Sequence, residues 1–127
     1  MFDEEHPDML EMMIEQQRSF MNLLQEERGF PEFPVDLTSK EGQKFLKKIA
    51  FEAMGELFEA IQHLKAGKDH RISAPGDVDR EKFIEELVDC LHYFFEVVIA
   101  SGVTQRELFH SYMDKGEVNK KRILSGY

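Results

Sequence analysis

Residues 83–100 read FIEELVDCLHYFFEVVIA, and this stretch decides the fold. Its apolar residues recur every three or four positions, which is the period of one face of an α-helix. Acidic residues follow the same period, because Glu85, Asp89 and Glu96 share a helical stripe and Glu86 lies three residues before Asp89. No lysine or arginine lies in this stretch or in the five residues after it. The sequence therefore predicts a helix that carries carboxylates among apolar side chains.

The preceding helical stretch carries a matching set of polar side chains. Residues 51–63 read FEAMGELFEAIQH. Four side chains of this stretch fall within one arc of about 60° on a helix, namely Glu52, Glu56, Glu59 and His63. Two consecutive helices joined by one loop are expected to lie side by side and antiparallel. The two acidic stripes are therefore predicted to be neighbours.

The apolar periodicity predicts four helices, and no stretch shows convincing strand alternation. We expect the helices at about residues 8–28, 38–65, 79–101 and 104–113, with N-terminal caps at Asp8, Thr38, Asp79 and Thr104. Gly116 is expected to interrupt the last helix, before a tail at residues 117–127. The predicted fold is a single all-α domain over residues 1–127, an antiparallel bundle of four to five helices.

The composition limits the partners and the compartment. The chain of 127 residues has 25 acidic and 16 basic side chains, for a formal net charge of −9. Such a surface repels nucleic acids and anionic membranes, so we expect neither as a partner. No apolar run approaches the roughly 20 residues that span a bilayer. The only cysteine, Cys90, favours a reducing compartment, which predicts a cytoplasmic protein.

The apolar content also predicts self-association. Hydrophobic residues make up 42 % of the chain, which gives a thin core for a single bundle. Surplus apolar surface can be buried between subunits. We therefore expect a homodimer or a homotetramer.

The two acidic stripes have a simple interpretation and a functional one. A solvated acidic face is the usual reason for a Glu-x-x-Glu pair, since acidic residues are good exposed helix formers. Here the neighbours are apolar, and partly buried carboxylates protonate unless a cation lies beside them. Mg²⁺ prefers carboxylate oxygens and often shares its coordination shell with substrate phosphates. The predicted cofactor is therefore Mg²⁺, with Mn²⁺ able to substitute for it.

Other metal sites agree less well with the sequence. A zinc protease would need His-Glu-x-x-His and a calcium EF-hand would need its loop, and neither motif occurs. A ferritin-type di-iron site would need Glu-x-x-His on two helices, whereas the chain has one related element, Asp89-x-x-His92. The di-iron class stays an alternative, which an iron-free, colourless protein would argue against.

A magnesium ion held by carboxylates suggests phosphate chemistry. The ion neutralises phosphate oxygens and lowers the pKa of bound water, and an unligated carboxylate can accept the proton. The Gly-rich loop of P-loop enzymes does not occur. Cationic side chains would come from the basic segment near the C-terminal end, with Lys115, Lys120, Lys121 and Arg122, or from the loop after the second helix, with Lys68, His70 and Arg71.

Two motifs and the tail resemble a known superfamily. Residues 52–60 read EAMGELFEA and residues 86–89 read ELVD, which makes a Glu-x-x-Glu motif on one helix and a Glu-x-x-Asp motif on the next. This pair resembles the all-α nucleoside triphosphate pyrophosphatase superfamily, which includes the MazG-like enzymes and the dimeric dUTPases. The tail YMDKGEVNKKRILSGY at 112–127 and the segment DLTSKEGQ at 36–43 are similar to the dimeric dUTPase branch.

The resemblance implies roles for particular residues. It implies Mg²⁺ ligation by Glu56, Glu59, Glu86 and Asp89. It implies that Glu52 is an added ligand or the base that activates water, so that Glu52 and Glu56 are the expected catalytic carboxylates. It implies nucleotide contacts by Gln17, Lys115, Asn119, Arg122 and Tyr127.

The predicted function is Mg²⁺-dependent hydrolysis of a nucleoside triphosphate to the monophosphate and pyrophosphate, with dUTP as the leading substrate. One alternative is the same chemistry on another deoxynucleotide, namely dCTP, dGTP or dATP, because a few pocket contacts decide this choice. A second alternative is a non-catalytic, metal-stabilised helical module for dimerisation or regulation. Pyrophosphate release from a panel of deoxynucleotides would distinguish these readings.

Overall fold

The computed structural model describes residues 8–65, 69–72 and 76–126, and within them every regular element is an α-helix. The helices are α1 (Met9–Arg28), α2 (Lys40–Ile61), α3 (Arg80–Ala100) and α4 (Gln105–Leu124). The predicted all-α class is confirmed. Tyr127, a predicted nucleotide contact, lies outside the described residues. None of these helices alone is long and apolar enough to cross a membrane, and α3 and α4 meet such criteria only as a bent pair.

The helices α1 and α3 begin where their caps are predicted. The Asp8 carboxylate accepts a hydrogen bond of 2.9 Å from the Glu11 N–H. The Asp79 carboxylate accepts one of 3.3 Å from the Lys82 N–H. At the other end of α1, Gly29 has a φ of 67°, in the left-handed region that favours glycine. Side-chain acceptors for the free N–H groups therefore fix both helix starts.

The helix α2 begins one residue later than predicted, because Ser39 and not Thr38 caps it. The Asp36 carboxylate accepts hydrogen bonds from the N–H and the hydroxyl of Thr38, at 2.9 and 2.7 Å. This turn occupies the Thr38 side chain, and the Ser39 hydroxyl oxygen accepts from the Gly42 N–H at 2.9 Å instead. The predicted Thr38 cap is wrong for this reason.

The same helix ends earlier than predicted, at Ile61 instead of near Lys65. The His63 N–H donates to the Ala60 carbonyl at 3.2 Å, and the Leu64 N–H donates to the Ile61 carbonyl at 3.0 Å. These bonds between residues three apart tighten the chain into a turn, as at many helix ends. His63 therefore follows the helix and does not lie within it.

The helix α4 is longer than predicted, because it continues through Gly116 to Leu124. Thr104 caps its start in a reciprocal pair of hydrogen bonds with Glu107. A glycine inside a helix costs about 1 kcal/mol relative to alanine. The helix-forming residues on both sides of Gly116 favour continuation of the helix by more than this cost. The predicted interruption at Gly116 and the predicted end at Met113 are wrong for this reason.

Gly116→Ala is expected to raise the free energy of unfolding by about 0.5–1 kcal/mol. A Cβ atom at this position would meet no heavy atom within 4 Å, so no clash offsets the gain in helix propensity. Gly42→Ala is the contrasting variant, because a Cβ atom there would collide with the Asp36 carbonyl oxygen. Urea denaturation checks both variants, and a loss of stability in Gly116→Ala would contradict the prediction.

The helices belong to two compact units. One contains α1, α4 and the last turn of α3, and in it α1 packs against α4. The other spans Val35–Val97 and contains α2 and most of α3. The buried apolar side chains of the described residues are Ile14, Met21, Ile49, Ala60, Phe95, Val98, Ile99 and Ala100. The core is therefore as thin as the composition predicts, and many large apolar side chains stay exposed.

Candidate metal centre

The helices α2 and α3 bring their acidic stripes together. Three relations run in opposite order along the chain: the Glu52 charge acts on Tyr93, an oxygen of Glu56 lies within 4.8 Å of one of Glu86, and the ring of His63, just after α2, meets that of Phe83. As the residue number rises along α2, the number of the facing residue on α3 falls. The two helices are therefore antiparallel neighbours, which is the arrangement predicted for consecutive helices joined by one loop.

Three carboxylates form the centre of the site, Glu56 and Glu59 from α2 and Glu86 from α3. One oxygen of each lies within 4.8 Å of the others, and these three residues are the carboxylate cluster. Glu56 and Glu59 are three residues apart and so project from one side of α2, while Glu86 comes from the facing helix. Glu56 and Glu86 are half-buried, whereas Glu59 is exposed. The cluster is therefore accessible to solvent on its Glu59 side.

Full ionisation of this cluster is unfavourable. Burial raises the pKa of Glu56 above its ordinary value, and the negative charge of Glu59 raises this pKa further. A hydrogen bond with Glu59 and the charges of Asp89 and Glu86 act in the same direction. Carboxylates at this spacing favour either protonation or a bound cation over a set of uncompensated charges.

The protein leaves one oxygen of Glu86 without a partner. The Oε2 atom is buried and forms no hydrogen bond with the described residues. The Oε1 atom lies 3.6 Å from Nε2 of His63. A buried carboxylate oxygen costs free energy unless it is hydrogen-bonded or bound to a metal. Hard cations such as Mg²⁺ bind carboxylate oxygens at about 2.0–2.1 Å, so the donor set of the cluster fits such an ion.

The structure places the other two predicted ligands at the edge of the cluster. Asp89 is half-buried and contributes to the raised pKa of Glu56, but the group within 4.8 Å does not include it. Glu52 is exposed, and its charge acts on Tyr93. Glu52 therefore lies at the rim, one helical turn from the centre of the site.

Tyr93 is a site residue that the motifs do not predict. Burial raises the pKa of its hydroxyl, and the charges of Glu52 and Glu56 raise this pKa further. The phenol therefore stays protonated and can donate a hydrogen bond next to the acidic stripe. The available signal in the sequence is its spacing, since Tyr93 lies four residues after Asp89 on the same helical face.

Glu96 continues the α3 stripe into the protein interior. Its side chain is buried, with an exposed fraction of 4 %. Burial disfavours the charged form and raises the pKa of this carboxyl. No hydrogen bond or ion pair of Glu96 is found within the described parts of the chain. The residue is thus a buried acid whose ionisation destabilises the fold.

Glu96→Gln is expected to stabilise the metal-free protein at pH 7 by about 1 kcal/mol, which corresponds to several degrees in melting temperature. The pKa is higher in the folded than in the unfolded chain, so stability falls as the pH rises from the ordinary glutamate pKa through the raised one. The neutral amide removes this loss, whereas at pH 4 the variant and the parent should differ little. Thermal denaturation at both pH values measures the effect, with Glu85→Gln, an exposed acid on the same helix, as the control. A variant that melts no higher than the parent at pH 7 would refute the prediction.

The predicted nucleotide contacts within the described residues lie on α1 and α4. Gln17 on α1 is 5 % exposed, and no hydrogen bond of its side chain with a described residue is found. Lys115, Asn119 and Arg122 are exposed. Their spacing of four and then three residues puts them on one stripe of α4. Their contacts with a nucleotide stay predictions.

Compared with models of protein families, with curated proteins and with solved structures, the chain matches none of them. The chemistry of the site is therefore inferred from its own side chains and from the motifs that they form.

Proposed function

We propose that the protein is a Mg²⁺-dependent pyrophosphohydrolase that converts a nucleoside triphosphate to the monophosphate and pyrophosphate, with dUTP as the leading substrate. The carboxylate cluster carries this proposal, because oxygens of Glu56, Glu59 and Glu86 converge within 4.8 Å and one oxygen of Glu86 is buried without a partner. The resemblance of the two motifs to all-α nucleoside triphosphate pyrophosphatases supports the same function. The chain has one cysteine, Cys90, and this low cysteine content supports a reducing, cytoplasmic location.

The carboxylates would bind the ion and take part in proton transfer. Glu56, Glu59 and Glu86 would hold Mg²⁺, with Asp89 as a fourth acid beside them. When bound, the ion would neutralise phosphate oxygens and lower the pKa of water. The oxygen of a water molecule bonds to phosphorus, the linkage between the α- and β-phosphates breaks, and pyrophosphate leaves. The proton lost by the water would pass to Glu52 at the rim or to Glu56.

The resemblance also implies substrate contacts by polar side chains of α4. The Arg122 guanidinium can bind a phosphate through two parallel hydrogen bonds, and the Lys115 ammonium adds a positive charge. Asn119, with a donor and an acceptor on one amide, can pair with a sugar hydroxyl or with a base edge. Gln17 and Tyr127 are the further contacts that the resemblance implies. Base preference depends on few such contacts and is the least constrained part of the proposal.

Exposed apolar faces on α2 and α3 support a homodimer or a homotetramer. On both helices these side chains lie on the side away from the acidic stripe, given 100° of rotation per residue. They are between 39 and 67 % exposed, and comprise Phe51, Met54, Phe58, Ile61, Ile84, Leu87, Val88 and Phe94. Covering them would remove on the order of 700 Å² of apolar surface per subunit, close to the roughly 800 Å² that each partner contributes to a stable interface. A second copy of the chain is therefore the proposed cover for these faces.

Pyrophosphate release from purified protein tests the proposed function. The assay uses dUTP, dCTP, dGTP and dATP, each with Mg²⁺ and with excess EDTA. We expect equal amounts of monophosphate and pyrophosphate, fastest from dUTP and abolished by EDTA or by Glu56→Gln. Release from a different deoxynucleotide only would correct the substrate and keep the chemistry. No release from any nucleotide would contradict the proposal and favour the non-catalytic helical module.

A further inference from the structure

We propose that His63 is a positioning residue, which holds the Glu86 carboxylate so that its second oxygen is directed at the cation site. This inference rests on the proposed function, since it assigns a role towards the same metal ion. His63 belongs to neither motif. It follows the end of α2 in a turn, and its backbone N–H is bonded to the Ala60 carbonyl at 3.2 Å. The turn thus fixes the backbone from which the imidazole reaches α3.

The imidazole has two contacts on α3. Its Nε2 atom lies 3.6 Å from Oε1 of Glu86, a separation typical of an electrostatic contact and slightly longer than a formed hydrogen bond. Its ring meets the ring of Phe83 edge to face, with centroids 6.5 Å apart and an interplanar angle of 74°. The His63 and Glu86 side chains are only 23 and 24 % exposed, so water screens their interaction less than on an open surface. The Phe83 contact therefore orients the ring, and the ring faces one oxygen of Glu86.

The two oxygens of Glu86 consequently have different surroundings. Oε1 faces the imidazole, whereas Oε2 is buried and without a hydrogen-bond partner among the described residues. Glu86 is also the sole member of the carboxylate cluster that comes from α3. A carboxylate with one oxygen engaged by the protein keeps fewer orientations, so less conformational freedom is lost when the other oxygen binds a cation. Groups that orient metal ligands in this way typically contribute about 10- to 100-fold in metal affinity or activity.

Three substitutions separate positioning from a packing role. His63→Phe keeps an aromatic ring against Phe83 and removes the N–H groups. His63→Gln keeps an N–H donor of similar reach and removes the ring. His63→Ala removes both. The control is His92→Phe, because His92 is an exposed histidine on α3 with no hydrogen bond, ion pair or ring contact to the cluster among the described residues.

The test is Mn²⁺ binding to the metal-free 127-residue chain, followed by the electron paramagnetic resonance signal of free Mn²⁺. Positioning predicts that His63→Phe and His63→Ala weaken Mn²⁺ binding by about 10- to 100-fold, that His63→Gln recovers most of the affinity, and that His92→Phe binds like the parent. It also predicts that His63→Phe weakens binding little further when Glu86→Gln is already present, because both act through one carboxylate. Thermal melting of each variant identifies any loss that comes from unfolding.

The outcomes separate this inference from the proposed function. If the parent binds Mn²⁺ and folded His63→Phe binds it equally well, the positioning role is overturned and the metal site stands. If the glutamine and phenylalanine variants lose affinity equally, the N–H contact with Glu86 is not the cause and positioning is again overturned. If the parent protein binds no Mn²⁺, both the metal site and the role of His63 are overturned.

Discussion

Glu86→Gln is expected to lower kcat/KM for pyrophosphate release by about a thousandfold. The substitution keeps the size of the side chain and removes the only carboxylate that α3 adds to the cluster. An amide oxygen is a weaker ligand for a hard cation, and the amide nitrogen cannot bind one at all. Steady-state kinetics with the best substrate of the panel measure the effect, with Mg²⁺ varied to separate metal binding from turnover.

The neighbouring residue offers a matched control for this prediction. Glu85→Gln makes the same chemical change one position earlier on α3, at an exposed acid outside the cluster. We expect its kcat/KM to stay within about twofold of the parent, because it removes only a screened surface charge. Comparable losses in Glu85→Gln and Glu86→Gln would show that the acidity of the helix, and not the cluster, supports the activity.

The second large effect is expected in self-association. Phe58→Glu should raise the dissociation constant of the oligomer by at least about 100-fold, because an unpaired carboxylate in an apolar interface costs several kcal/mol and symmetry places one on each copy. Phe58 is 60 % exposed and lies with Phe51, Met54 and Ile61 on the apolar face of α2. Sedimentation equilibrium of the parent and the variant over a range of concentrations measures the change.

A second charge substitution on α2 tests whether position matters. Lys44→Glu changes the net charge by more than Phe58→Glu does, at an exposed site that is polar in the parent protein. We expect the oligomer of this control to form like that of the parent. A parent protein that stays monomeric at tens of micromolar would contradict the proposed oligomer.

Local signals in the sequence account for most of the secondary structure. Asp8 and Asp79 cap the helices that they are predicted to cap, because an acceptor before an apolar-periodic stretch has few alternative partners. Thr38 fails as a cap because the Asp36 carboxylate competes for its side chain. Gly116 does not end the helix, because the free-energy cost of one glycine is smaller than the gain from continuing the helix on both sides of it. Errors of this kind move a boundary by one residue at the start of α2 and by about three turns at the end of α4, and they leave the helical class unchanged.

The site itself was only partly predictable. The spacing on each helix puts Glu56 beside Glu59, and Glu86 beside Asp89, on one face. The axial register between α2 and α3 depends on how the two helices pack against each other. The spacing of residues within one helix does not determine this register. That register brings Glu86 and not Asp89 into the closest group with Glu56 and Glu59. It also determines that His63 meets Glu86 and that Tyr93 lies beside the α2 acids.

The most direct test of the carboxylate cluster is the position of a bound Mn²⁺ ion in crystals of the metal-free protein soaked with that ion. We expect an anomalous difference peak within about 2.5 Å of carboxylate oxygens from Glu56, Glu59 and Glu86, and no such peak in Glu86→Gln crystals soaked in the same way. A peak confined to other acidic residues, or an equal peak in the Glu86→Gln crystals, would contradict the assignment of the cation site.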